Sequence, residues 1–422
     1  MHAQGPENSG LTIRLVAGFA VLAAGSRIFV GGSLTVGFVV ALVLLPLWVP
    51  VLRRYWGATV FAALGILAAL SGIWLREVTA VNHASSVSGM IAGVMMLLGI
   101  VTAVGVVLWA RTIIPDWMVG ALFGFAMLAS ATLGAETGND NPWKFGVGFP
   151  VMIIVLSLVS RPGLRTLEAI ALLVFAVVAL GTDSRYRFAT LMITAVLVLW
   201  QMLPQFRTRR ASSLAMVAMV GIIAAITYNL ATALIVDGYL GEQAQSRTIA
   251  QLEASGSLLL GGRPEAAASI ALFQSNPWGF GVGVQPNLDD ILVAKTGMAS
   301  IGYQPNNGYV ETYLFGGGFE LHSVAGDLWS QYGIPGLAFV AWIVVLVLHT
   351  LGQGLSTRTA TSITMFLGIS TLWNVLFSPI YGSLPTLVLT VGLGLLPLAA
   401  AKPLGSDPPA LVSSRDALSP LP

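Results

Sequence analysis

The sequence predicts an all-α polytopic membrane protein, and three observations carry that class. Of 422 residues, 56% are hydrophobic and only 9% charged, against roughly 25% charged residues in soluble domains. The apolar residues fall in runs of roughly 16 to 26, long enough to cross a hydrocarbon core of about 30 Å at 1.5 Å per residue. The runs lack the alternation over about ten residues that a membrane β-strand shows. One polar stretch of about ninety residues, 237–325, interrupts them late in the chain.

Taken in order, a short polar tail at 1–10 precedes spans at roughly 11–25, 28–50, 56–75, 87–110, 113–134, 145–160, 166–182, 185–204 and 211–236. After the polar stretch come spans at roughly 326–350, 360–378 and 380–401, which makes about twelve. The expected organisation is therefore 1–236 as nine spans, 237–325 as a partly helical external loop, 326–401 as three spans, and 402–422 as a disordered cytoplasmic tail rich in Pro, Ser and Asp. Arg14 inside the first apolar run, with no small-residue cleavage site after it, argues against a cleaved signal peptide.

Orientation follows from the basic residues of the short connections. With the N-terminus inside, the cytoplasmic loops hold Arg53, Arg54, Arg111, Arg161, Arg165, Arg207, Arg209, Arg210 and Arg358. The external ones hold Arg27, Arg76, Lys144, Arg185 and Arg187, so nine stand against five. Both termini are then cytoplasmic and 237–325 is external. The net charge of +2 is too small to speak about partners, and the absence of cysteine excludes disulfides, thiol catalysis and Cys-ligated metal. No repeat of domain length supports a transporter of inverted halves. A short echo, NPWKFGVG at 141–148 and NPWGFGVG at 276–283, reads as a coincidence between two Gly-rich turns.

Chemistry has three places to sit. At 181–191, Thr182, Asp183 or Ser184 can cap the eighth span, and Arg185 and Arg187 stand at the same helix start. Free N–H groups, the positive end of the helix dipole and two guanidiniums suit phosphate or pyrophosphate. A plainer reading has these arginines reach lipid headgroups and pair with Asp183. In the loop, a surface helix is expected at 242–254. A second follows Gly261 and Gly262, with Arg263 at its start, Pro264 and Glu265 in its first turn and apolar residues through Phe273. The plainer alternative is an amphipathic helix on the membrane with Arg263 in solvent. The third place is His322, with Glu320 and Asp327 close by, whose neutral ring can take a proton from a sugar hydroxyl.

Other signals are weaker or missing. His2 lies in a tail, His83 in an external loop without evident partners, and His349 at a cytoplasmic helix end. Asp289 and Asp290 are adjacent and read as a solvated turn. There is no phosphate loop, no histidine pair at metal spacing, no serine nucleophile elbow and no basic, aromatic nucleic-acid surface.

Three stretches resemble one family, the O-antigen ligase and polymerase superfamily of bacterial membrane glycosyltransferases. A histidine followed at the family's interval by Gly-x-x-Gly at a span is seen in His322, Ser323, Gly333 and Gly336. Ser-Arg at a span start is Ser184 and Arg185. Gly-Arg before a helix, then Asn-Pro and a Gly-Val-Gly turn, is Gly262, Arg263, Asn276, Pro277, Gly281, Val282 and Gly283. The sequence departs from the pattern at Ser323, where Asn is usual, and at Ala325 and Gly326, where Tyr-Leu is usual. A second stretch, PNNGYVETYLFGGG at 305–318, also resembles the motif but has Asn306 at the histidine position.

The resemblance implies an inverting, metal-independent glycan transfer without a cofactor, at the periplasmic face of the bacterial inner membrane. The donor would be a glycan on polyprenyl pyrophosphate and the acceptor a glycan such as lipid A core, in contact with the bilayer and with no nucleic acid. Arg185 and Arg263 would stabilise the pyrophosphate and His322 would act as general base. Arg187, Ser184, Gly281, Gly283 and Asp327 would line the substrate. A ligase is the leading reading, with a polymerase of lipid-linked repeat units as the alternative. A flippase of lipid-linked glycan and a receptor or scaffold are the readings from other classes; against the flippase, the charges gather at outer ends and in one loop and not at mid-membrane.

Overall fold

The computed structural model describes residues 6–134, 141–182, 184–204, 212–238, 242, 245, 246, 248, 249, 252 and 263–398. Asp183, Arg207, Arg209, Arg210, Arg247, Gly261, Gly262, most of the surface helix expected at 242–254, and the tail at 402–422 lie outside the described residues. The architecture is all-α apart from one two-stranded hairpin, Phe29–Gly31 with Leu34–Thr35. The helices up to the polar stretch are α1 Pro6–Gly25, α2 Val36–Val43, α3 Leu45–Trp48, α4 Ala58–Thr79, α5 Val87–Ala110, α6 Asp116–Leu133, α7 Gly148–Val159, α8 Arg165–Gly181, α9 Arg185–Met202 and α10 Ser213–Val236. The polar stretch contributes α11 Glu265–Ser275 and α12 Leu288–Ala299, and the chain ends on α13 Val324–Ser356, α14 Ser362–Phe377 and α15 Ile380–Gly394.

By length and composition, five of these helices can cross a membrane: α4, α5, α6, α10 and α13. A sixth is possible if α2 and the segment Leu45–Arg54, bent by 63°, make one span. The second span expected from sequence is thus not one straight helix. Pro46 and Pro50 cannot donate to the helical ladder, and the chain turns into a 3₁₀ segment at Val49–Arg54. The two copies of the echo differ as well. Trp143–Val147 is a π-helical turn leading into α7, whereas 276–283 is a chain of turns.

Among the described residues, Arg111, Arg165 and Arg358, three of those assigned to the cytoplasm, donate to backbone carbonyls at one end of the bundle, at helix ends and in the turns beside them. Arg111 donates to the carbonyls of Gly392 at 2.8 Å and Leu395 at 2.9 Å. Arg165 donates to Ala360 at 2.6 Å, and Arg358 to Leu203. Free carbonyls at a helix C-terminus carry partial negative charge, so cations there are stabilising. His349 stacks on Trp56 at 4.1 Å at this same end.

The polar stretch collects at the other end and builds a core of its own. Leu272 of α11, Met298 of α12, Phe280, Val310, Leu314 and Phe319 are buried together, and Trp329 of α13 joins them. Helices α11 and α12 touch closely, because a Cβ on Gly297 would stand 2.5 Å from the Ala267 carbonyl. The start of α12 carries a capping box between Asn287 and Asp290. This overturns the expectation that 289–290 is a solvated turn. Asp290 is buried, and its Oδ2 lies 2.9 Å from His83 Nε2. His83 therefore has a partner after all, 207 residues away, which no local pattern could supply.

What joins this cap to the bundle is a break in α13. Gly333 has φ 65° and ψ −149°, a region open to glycine alone, and Pro335 follows without an N–H to donate. The Ser330 carbonyl, freed from the helical ladder, instead accepts Phe280 N at 2.8 Å and Gly281 N at 3.1 Å. Trp329 Nε1 donates to the Pro277 carbonyl at 3.0 Å. The segment 276–283 is thereby plugged into the kink, and a Cβ on Gly333 would lie 2.5 Å from the Trp278 carbonyl. Gly333→Ala is expected to cost about 1–3 kcal/mol in backbone strain alone. A lowered unfolding midpoint in detergent, with new protease cleavage within 276–285, is the readout.

Candidate active site

His322 closes the polar stretch, one residue before the Ser323 cap of α13, whose hydroxyl accepts Gly326 N at 2.8 Å. Its backbone is left-handed, φ 53°, one of two such non-glycine residues among those described. Strain of this kind persists only where surrounding contacts hold it. Those contacts are specific. Nδ1 lies 2.8 Å from the Glu320 carbonyl, which can only accept, so Nδ1 carries the proton and donates. In the neutral ring Nε2 is then the basic nitrogen. The Tyr313 ring stacks on the imidazole with centroids 3.9 Å apart and planes 19° apart.

Tyr313 feels charge from both sides of the cluster: burial pushes its hydroxyl pKa up, the Glu265 charge adds to the rise, and the Arg263 charge opposes it. Arg263 directly precedes Pro264, the N-cap of α11, and is partly exposed. Its guanidinium makes no hydrogen bond or ion pair among the described residues. Glu265, in the first turn of α11, is 5% exposed. Its Oε1 accepts the Tyr309 hydroxyl at 2.5 Å, while its Oε2 is buried with no partner among the described residues. Burial, and then that bond, push the Tyr309 hydroxyl pKa up, which keeps it a donor.

Sequence marks Glu265 only as a helix-start residue, and Tyr309 and Tyr313 only as part of 305–318. The signal was present in 305–318, where Tyr309 and Tyr313 stand four apart, the spacing that puts two side chains on one helical face. The histidine resembling the family's and the Tyr-rich stretch competing with it therefore belong to one cluster.

Ser184 is the buried N-cap of α9, but its side chain makes no capping bond. Thr182 does not cap α9 either; its hydroxyl donates back to the Val178 carbonyl at 2.8 Å. Arg185 and Arg187, two apart on a helix of 3.6 residues per turn, point to different sides. Arg185 donates to Thr248 Oγ1 at 3.2 Å, which links α9 to the polar stretch ahead of Arg263. Arg187 turns to α7, donating to the Trp143 carbonyl at 3.4 Å and lying 5.9 Å from the Phe149 ring. Tyr313 and His322 are thus in contact, Arg263 acts on Tyr313 through its charge, and Arg185 reaches the same stretch through a different residue.

Gly281 and Gly283 serve the joint between stretch and bundle. Both have positive φ, 108° and 76°, and a Cβ would stand 2.3 Å from Arg76 N and 2.5 Å from Met90 N. Between them Val282 N donates to the Gly72 carbonyl at 3.1 Å, and the Gly283 carbonyl accepts Ser86 N at 2.7 Å. Asp327 is a brace. Only 2% exposed, it accepts Leu321 N at 2.6 Å and Ile380 N at 2.8 Å, one on each oxygen. It fixes the chain just before His322 to the start of α15. No group of three His, Cys, Asp or Glu side chains among the described residues is placed to hold a metal ion. Asp327→Ala strands two buried donors, at about 1–3 kcal/mol each. A loss of about 2–5 kcal/mol on this basis, measured by unfolding in detergent, is expected, with Asp327→Asn between it and the wild type.

Residues 170–341 match a family model described as O-antigen ligase. The segment contains Ser184, Arg185, Arg187, Arg263, Gly281, Gly283, His322 and Asp327, together with Glu265, Tyr309 and Tyr313. This supports the resemblance to the O-antigen ligase and polymerase superfamily. The chain matches no curated protein and no solved structure.

Proposed function

From an O-antigen ligase segment spanning 170–341, we propose that this membrane protein transfers a glycan from a polyprenyl-pyrophosphate carrier to a hydroxyl of an acceptor glycan, lipid A core being the leading choice. Transfer takes place at the outer face of the cytoplasmic membrane, in a bundle of about twelve spans. The observation that carries this reading is His322, whose Nδ1 donates to the Glu320 carbonyl and leaves Nε2 as the basic nitrogen, stacked on a tyrosine that feels the charge of Arg263.

In the step itself, Nε2 of His322 takes the proton from the acceptor hydroxyl. The oxygen attacks the anomeric carbon, forming the new C–O bond. The bond from that carbon to the phosphate oxygen breaks, and its electron pair leaves with the lipid pyrophosphate. Arg263 and Arg185 meet the charge that develops on the leaving group. Preorganised cations of this kind stabilise a transition state more than the ground state. The N–H groups at the start of α9, where Ser184 makes no side-chain cap, add to the same field. Arg187 and Ser184 shape that helix start, and the turn at Gly281 and Gly283 and the brace at Asp327 hold His322 and Arg263 in register. The mechanism requires no metal and inverts the anomeric centre.

The test is transfer by purified protein from a lipid-pyrophosphate glycan to candidate acceptors with chelator present, read as a mass shift of the acceptor. His322→Ala is expected to lower the rate by about 10²–10⁴, the range for a lost general base. Arg263→Ala is expected to lower it by about 10²–10³. Near wild-type transfer in either variant, with folding intact, contradicts the assignment. Single additions to the acceptor mark a ligase, and a ladder growing on the carrier marks a polymerase. Passage of lipid-linked glycan across a proteoliposome membrane, without any acceptor product, marks a flippase.

A further inference from the structure

We propose that Tyr303, Tyr309 and Tyr313 form a binding track for the acceptor glycan, leading to His322. The inference rests on the reading of His322 as the base. The rings follow one another in steps of 5.9 Å from Tyr303 to Tyr309 and 4.8 Å from Tyr309 to Tyr313, and the last step, 3.9 Å, ends on the imidazole. Their planes are tilted by 59° and 41°, so neighbouring faces do not cover each other as a parallel stack would. Tyr313 is 47% exposed, and Tyr303 and Tyr309 are half-buried.

Two of the hydroxyls are used to hold the rings. The Tyr309 hydroxyl donates to Glu265, and the Tyr303 oxygen accepts Asn307 Nδ2 at 3.0 Å. Rings held in this way present rigid amphipathic surface at little entropic cost. A pyranose has the matching chemistry, with an apolar C–H face to lie on a ring and hydroxyls at its rim. Asn306, Asn307 and Gly308 are exposed beside the rings and offer amide and backbone groups to those hydroxyls.

The track belongs to the acceptor because of where it ends. The base takes its proton from the acceptor hydroxyl, whereas the charged part of the donor is drawn to Arg263 and Arg185. A belt of tyrosines at the membrane interface is the other common use of such residues. Here the run lies on the polar stretch, anchored to Glu265 at one side and stacked on His322 at its end.

Tyr303 is the residue to change, because it is two rings removed from His322. The probe is core oligosaccharide freed of lipid by mild acid, titrated against His322→Ala protein so that no turnover intervenes. Tyr303→Ala in that background is expected to weaken binding by about tenfold, and Tyr303→Phe to restore it. In otherwise wild-type enzyme Tyr303→Ala should raise the acceptor KM by the same factor and leave the donor KM and kcat in place. Unchanged binding in Tyr303→Ala, a Phe variant as weak as the Ala variant, or no saturable binding of the oligosaccharide overturns the track. So does a raised donor KM or a loss confined to association with lipid vesicles. Should His322→Ala prove active, the base assignment fails, and the binding titration still decides whether the rings hold sugar.

Discussion

The end of the bundle that carries the polar stretch hangs on one interrupted helix. If α13 ran unbroken past Gly333, the Ser330 carbonyl would be spent within the helix and could not take the N–H groups of Phe280 and Gly281. The segment 276–283 would lose its seat, and with it the contacts to α4 and α5 through Val282 and Gly283. The same helix carries Asp327, which pins the backbone before His322, and Trp329, which enters the core of the polar stretch. One helix thus braces the chain before His322 and enters the core on which α11, the helix that follows Arg263, is packed.

The chemistry proposed here is electrostatic and needs few groups, but they must be held. His322 sits at a positive φ that its sequence neighbours do not favour. The bond to the Glu320 carbonyl, the Tyr313 stack and the brace at Asp327 fix it there. The bond to the Glu320 carbonyl also selects the tautomer with a basic Nε2, and Tyr309 remains a donor to a carboxylate whose other oxygen has no partner among the described residues. Polar groups that are rigid and incompletely satisfied are costly to build in a low-dielectric setting. Glu265 Oε2, beside Tyr309, is one such group among the described residues.

Local signals were legible in the sequence where a single residue type dictates geometry. Pro264 and Glu265 announced α11, and Asn276 its end, because the first turn and the stop of a helix are local events. Composition gave the all-α membrane class. The bend after Val43 and the break at Gly333 lie inside apolar spans, where averaged hydropathy outweighs a proline or a glycine, so neither is visible as an interruption. The pair of His83 and Asp290 and the bond from Asp327 to Ile380 join residues 207 and 53 apart. No periodicity records such contacts. Asp327 and the two turn glycines have structural partners far along the chain, since sequence marks a constrained residue without saying what it faces.

The central claim is a single displacement at the anomeric carbon, driven by His322 and received by Arg263 and Arg185. The stereochemistry of the product tests it most directly. With a donor whose sugar is α-linked to pyrophosphate, NMR of the transferred glycan should show a β-linkage at the new bond from the first turnover, since one displacement inverts. A product that keeps the α configuration would require two displacements through a covalent glycosyl-enzyme, and would contradict the account.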